Sequence, residues 1–311
     1  MPNSPIADLS YRNYDGPMSP PHTRWWPIAK MSMRLAIKSK GFWIWATLSS
    51  YAYLIYMVIF YFTDSTGTAS GRSNPYFTML KWHDTFVASF TLSQLLLLIV
   101  ALLIGAGSIA NDNRSNALLV YLSRPVSKLD YIFGKWLGIA IPIAAIVFVP
   151  MLTYYGYCAM SYAKYGFFSQ DHWIIVKIFL IPICAGIVHA SLSIGISSMF
   201  NQGRIAGATY AAVYFIGYFF TVLVGQLYIG VTGIGPNQFL KNLFYCSPDG
   251  LQVGLAKVIA GTNGSEAFTG FTRHIVPRPD PWFIILLLIV VILFGFGVAW
   301  NRIRPVEIVS R

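Results

Sequence analysis

A chain of 311 residues that is 56% hydrophobic and only 11% charged departs from soluble domains, which run nearer about 45–50% apolar and about 25% charged. It reads as a polytopic membrane protein. Its 22 Lys and Arg against 11 Asp and Glu sit at the ends of apolar runs and form no basic stripe interleaved with aromatics, so the charge points to lipid head groups and orientation, with no nucleic acid as partner.

Residues 1–22 carry prolines at 2, 5, 17, 20 and 21 and no apolar core, so an extended cytoplasmic tail without a cleavable signal peptide is expected. Within it Tyr11, Arg12 and Tyr14 are either part of a solvated tail or a docking peptide for a cytoplasmic partner, tyrosine and arginine being common interface anchors. Residues 23–40 set Trp25, Ile28, Met31, Met33, Leu35 and Ile37 among Lys30, Arg34, Lys38 and Lys40. That pattern predicts an amphipathic connecting helix lying in the membrane interface.

Apolar runs of roughly 20 residues, the length that crosses a bilayer, fall at about 41–62, 86–110, 136–158, 173–200, 205–227 and 282–300. They predict an all-α, six-span permease-like body over residues 41–305, followed by a short tail at 306–311. Residues 228–281 form the longest outer segment. Its stretch NQFLKNLFYCSPDGLQVGLAKVIAG is interrupted at Ser247-Pro248-Asp249-Gly250, and its apolar pieces are too short to span, so re-entrant or interfacial helices are expected before the last span. Gly134 and Gly138 make a GxxxG pair, a packing signal expected to act within the subunit. Counting basic residues gives six before residue 41, four in 111–135, Arg204 and three from 302 onward, against seven in the outer segments and Lys177 within a span. Both termini are therefore expected in the cytoplasm of a plasma (inner) membrane.

The polar stretch 111–135, NDNRSNALLVYLSRPVSKLDYIFGK, joins the second and third spans as a cytoplasmic loop. Inside it ALLVYL reads as a short amphipathic helix, stopped where Ser-Arg-Pro pushes the backbone out of the helical region. The string LSRPVSKLDYIFGK, placed between those spans, resembles the cytoplasmic coupling segment of permease subunits in the type-2 ABC transporter family. Asp112 stands at the acidic position that precedes the motif in that family, while the Gly-Thr pair that commonly follows is replaced. The resemblance implies a segment that lies against a separate ATP-binding subunit and passes its movement to the spans. On that reading Asp112, Arg114, Leu118, Leu122, Arg124, Pro125, Ser127, Lys128, Tyr131, Gly134 and Lys135 are the partner-binding residues. Asp112 would pair with a basic residue of the ATPase, Ala117–Leu122 would supply the docking face, and Pro125 would set the segment's angle. Arg124 and Lys128 are otherwise generic inside-positive anchors.

Catalytic signatures are missing. Gly134-Lys135 has no glycine five residues before Gly134 and is followed by Trp136 instead of Ser or Thr, so it is no phosphate loop, and neither HExxH nor GxSxG occurs. The histidines at 22, 83, 172, 189 and 274 are too scattered for a metal site, and the three cysteines for a disulfide framework. His189, near the middle of the fourth span, is either a neutral imidazole bonded to a neighbouring helix or part of a translocation path. The expected function is a non-catalytic permease subunit of an ABC transporter working as an exporter, paired with a second permease copy or homologue; ATP and Mg²⁺ belong to the partner chain. The rival is a membrane anchor that recruits a partner and moves nothing. A redox or quinone-binding subunit would need paired mid-membrane histidines for haem, and His189 stands alone.

Overall fold

The computed structural model describes residues 23–69, 75–115, 117, 126–232, 237–264 and 276–303, and every regular element among them is a helix. Six segments are long and apolar enough to cross a membrane: Lys40–Gly67, Trp82–Arg114, Lys128–Tyr165, Ile174–Ser198, Gly203–Tyr228 and Pro281–Arg302, spans 1 to 6. The interfacial helix Trp25–Lys38 precedes span 1. Helices Gln238–Phe244 and Pro248–Ala260 form a hairpin between spans 5 and 6. The side of the bundle with the span 2–3 connection is called here the loop face, and the opposite side the hairpin face. Both tails, with Tyr11, Arg12 and Tyr14, lie outside the described residues, as does most of the ALLVYL segment.

Span 4 is the centre. It packs along span 3 and span 6 and also meets spans 2 and 5 and the hairpin. Small residues allow the close crossings: a Cβ on Gly195 would lie 3.0 Å from the Gly295 Cα, and one on Gly186 would press into the Ala140 carbonyl of span 3. Spans 1, 5 and 6 turn large apolar surfaces outward, with Trp43 56%, Ile216 70% and Leu293 65% exposed.

Span 1 is broken at Ser50, where Ser49 Oγ donates to the Ala46 carbonyl at 2.7 Å, a back-bond that bends helices. Span 3 begins at Lys128, eight residues before the expected Trp136. The reason is local: Ser127 Oγ accepts from the Asp130 amide at 3.1 Å and the Asp130 carboxylate takes the Ser127 amide at 3.1 Å, a complete capping box. The Gly134/Gly138 pair receives the interfacial helix. A Cβ on Gly134 would lie 2.7 Å from the Trp25 carbonyl oxygen, and one on Gly138 would lie 3.2 Å from that of Ala29.

The hairpin breaks at Tyr245–Ser247, and Ser247 caps the second helix by accepting from the Gly250 amide at 2.9 Å, with Pro248 in its first turn. It leans on a small-residue stripe of span 5, where Gly217 meets Pro248, Thr221 bonds Ser247 and Gly225 meets Phe244. The second helix climbs back to the hairpin face, where Thr262 bonds Asp84 at the start of span 2 and the Ala260 carbonyl accepts from Lys177 at 3.1 Å. Lys177 also pairs with Asp171 at 2.6 Å. The nearby Lys257 amine, 7% exposed, donates to the Val276 carbonyl at 2.8 Å.

Two outcomes are expected. Gly138→Leu forces the interfacial helix off span 3, costing about 1–3 kcal/mol and speeding trypsin cleavage in native membranes at Lys30 and Arg34, whose side chains already face outward, because the helix backbone is no longer held. Burial pushes the Lys257 amine down to about 8, opposed in smaller part by Asp84. A lysine depressed on folding is a cost while charged, so stability is expected to rise as pH goes from about 8 to about 10. Lys257→Met should remove that rise, while taking from the Val276 carbonyl its 2.8 Å bond, since the single proton of Tyr245 Oη lies nearer the Pro277 carbonyl at 2.8 Å. Thermal unfolding in detergent across that pH range reads both effects.

Candidate functional site: the base of the coupling segment

Span 2 does not run straight into the loop. Its long helix ends at Gly105, a turn covers 106–109, and a short helix, Ala110–Arg114, follows. The turn leaves backbone amides without intrahelical acceptors, and Ser197 of span 4 takes two of them. Its Oγ accepts from Ile109 N at 3.1 Å and Ala110 N at 3.0 Å while donating to the Ala106 carbonyl at 2.7 Å. Asn113 adds a bond to the Phe200 carbonyl at 3.3 Å, and Gly203 lets Asn111 close in, since a Cβ there would stand 2.9 Å from Asn111 Oδ1.

Against this short helix stand the first two turns of span 3. Lys135 Nζ pairs with Asp112 Oδ2 at 2.7 Å and donates to the Ser108 carbonyl at 2.9 Å; Tyr131 Oη donates to the same carboxylate oxygen at 2.7 Å. The two charged side chains are 9% and 19% exposed, and Tyr131 is fully buried. The charges thus satisfy each other in a largely desolvated place, and the two ends of the coupling segment meet. Lys128, the first residue of span 3, places its ammonium 4.5 Å from the Trp300 ring centre at the loop-face end of span 6. Trp25 packs edge-on against Phe133, which stacks on Trp136, whose indole donates to Ser191 of span 4 at 2.9 Å. A chain of aromatic contacts thereby runs from the interfacial helix to the bundle centre.

The residues named from sequence divide accordingly. Asp112, Tyr131 and Lys135 come together, but with one another: Asp112 is paired inside the subunit, so the basic partner expected on an ATPase is replaced by Lys135. Gly134 is covered by the interfacial helix. Tyr131, Gly134 and Lys135 are buried in the subunit instead of presented, because span 3 starts early and brings them to the short helix, where they leave Asp112 only partly exposed. Arg114 and Ser127 are exposed at the two lips of the segment, Ser127 as a helix cap. Leu118, Leu122, Arg124 and Pro125 lie outside the described residues. His189 takes no part in these contacts: it is fully buried, its Nδ1 2.6 Å from Tyr210 Oη of span 5, the neighbouring-helix bond that one reading expects. Ser197 and Asn111 were missed. A serine near the end of span 4, facing the small-residue run GAGS that breaks span 2, was the available signal.

Removing one member of the clamp leaves the other charge buried. Lys135→Met is expected to destabilise the protein by on the order of 3 kcal/mol, and the exchange Asp112→Lys with Lys135→Asp to recover part of that loss. Thermal unfolding of the single and double variants in detergent measures both.

No curated protein matches this sequence. The family model described as ABC-2 family transporter protein matches residues 21–302, which takes in the interfacial helix, all six spans, the clamp and the hairpin. The chain belongs to the ABC-2 family of transporter proteins, as a membrane permease component of an ABC transporter.

Proposed function

We propose that this permease is driven by a separate ATP-binding subunit through residues 111–135, and that it works as an exporter beside a second permease copy or a homologue. One observation carries the coupling: both ends of that segment are fastened at a single point, the Lys135–Asp112–Tyr131 clamp, where span 2, span 3 and, through Gly134, the interfacial helix meet. Force applied to a loop anchored in this way reaches two spans at once. The chain's own residues supply binding and leverage, while ATP and Mg²⁺ are held by the partner. In the cycle, closure of the ATP-binding subunits pushes the segment, the clamp passes the push to spans 2 and 3, and contacts through span 4 rock the bundle between its two faces.

Division of labour follows from burial. Asp112, Tyr131, Gly134 and Lys135 hold the segment's base, leaving Arg114, Lys128 and the Leu118–Pro125 stretch as the part that touches the ATPase. The outward apolar faces of spans 1, 5 and 6 provide surface for a second permease and for lipid. The export direction rests on the family resemblance. Orientation with both termini in the cytoplasm of the plasma membrane rests on the excess of basic residues on the loop face.

The test is co-purification of the tagged chain in mild detergent with assay of the ATPase that accompanies it. Arg124→Glu or Pro125→Leu is expected to leave the permease in the membrane and to cut substrate-stimulated hydrolysis by on the order of tenfold, or to release the ATPase. Undiminished hydrolysis overturns the coupling role. A stable complex containing no nucleotide-binding subunit would favour the anchor instead.

A further inference from the structure

Beneath the hairpin, polar side chains from four elements converge at one depth. Gln94 of span 2, His189 of span 4 and Tyr214 of span 5 lie about 18–22 Å along their helices from the hairpin-face ends. Tyr214 Oη donates to Asp249 Oδ1 at 3.0 Å and lies 3.4 Å from Gln94 Oε1. A phenol has one proton, and the carboxylate is the closer and stronger acceptor, so the Gln94 amide is better turned to donate to the phenol oxygen. The His189 ring stacks on the Tyr214 ring with centres 6.2 Å apart, and its Nδ1 meets Tyr210.

This layer is left with open valences. His189 Nε2 and one end of the Gln94 amide have no hydrogen-bond partner among the described residues, and the two side chains are on residues 0% and 2% exposed. Asp249 makes no ion pair with a described residue. The amides of its own helix N-terminus and one phenol are its support. An acid placed this far below a membrane face with no basic partner among the described residues, against Tyr214 and with Tyr210 one helical turn along span 5, has the composition of a site for a cation.

We infer that the junction of spans 2, 4 and 5 with the hairpin tip binds a hydrophobic organic cation during transport, with Asp249 as its counter-charge, Tyr210 and Tyr214 as aromatic walls and Gln94 and His189 as polar contacts. In the present conformation these side chains pack on one another, so entry requires the tip to part from span 5. The contacts to be broken are the Thr221–Ser247 hydrogen bond, and Pro248 on Gly217 and Phe244 on Gly225, where a glycine offers no side chain to interlock. This inference rests on the permease reading and adds a substrate class to it.

The test is equilibrium binding of radiolabelled tetraphenylphosphonium to the full-length chain in nanodiscs, beside tetraphenylborate, which has the same shape and the opposite charge. Saturable binding of the cation alone, weakened on the order of tenfold or more in Asp249→Asn, is the expected result. Absent cation binding, equal binding of the anion, or an unchanged affinity in Asp249→Asn overturns the site. Should that variant fail to fold, an arylazide phosphonium photolabel on the unaltered chain should mark the peptides around Tyr214 or Asp249, and labelling elsewhere overturns it. Because no ATPase is present, failure here leaves the coupling reading standing, and failure of coupling leaves the binding result standing.

Discussion

The ion pair between Lys135 and Asp112 joins two helix ends that the chain separates by a polar loop, and the loop-face half of the bundle is arranged around it. Neither charge would be tolerated alone at that degree of burial. Together, and with the Tyr131 hydroxyl and the Ser108 carbonyl, they account for the carboxylate and the ammonium. Holding Lys135 there fixes the rotation of span 3, which turns Gly134 and Gly138 toward the interfacial helix and brings Lys128 over Trp300. A single electrostatic contact thus decides which faces of span 3 meet three other elements.

Much of this fold was legible because crossing a bilayer demands long apolar runs, and six such runs stand out in the sequence. The start of span 3 was not, since Lys128, Asp130 and Lys135 interrupt its hydropathy; the Ser127-x-x-Asp130 cap was the readable sign of an earlier beginning. The Ser-Pro-Asp-Gly stretch reads in sequence as an interruption, and the same residues prove to be a helix start, with Ser247 as cap and Asp249 in the first turn. His189 was legible as an ionisable group in an apolar span. Its partner Tyr210 was not, because a bond between residues 21 apart on different helices leaves no local pattern. The buried destiny of Tyr131 and Lys135 was hidden for the same reason, as both look like loop residues until span 2 bends back to meet them.

Two kinds of packing divide the bundle. Spans 3, 4 and 6 approach through Ala140, Gly186, Gly195 and Gly295, where backbones come close and dispersion replaces the hydrophobic drive that lipid does not supply. Near the hairpin face the contacts are aromatic. Phe60, Phe77, Trp82 and Tyr162 stack or meet edge to face, and Gln170 ties this cluster to the backbone at Trp82 and Leu80. The first kind tolerates sliding along a helix axis, whereas the second interlocks in all directions.

The hydroxyl of Ser197 serves three backbone groups of span 2 at the place where that span bends. A bend capped by its own residues could straighten without consulting its neighbours. This one is closed by a side chain from span 4; straightening span 2 would return the Ile109 and Ala110 amides to the carbonyls four residues back and leave the Ser197 hydroxyl without its three partners in a poorly hydrated place. The kink and the registration of two spans are therefore the same set of bonds, and spans 2 and 4 travel as one mechanical part, with span 3 fastened to it by Lys135.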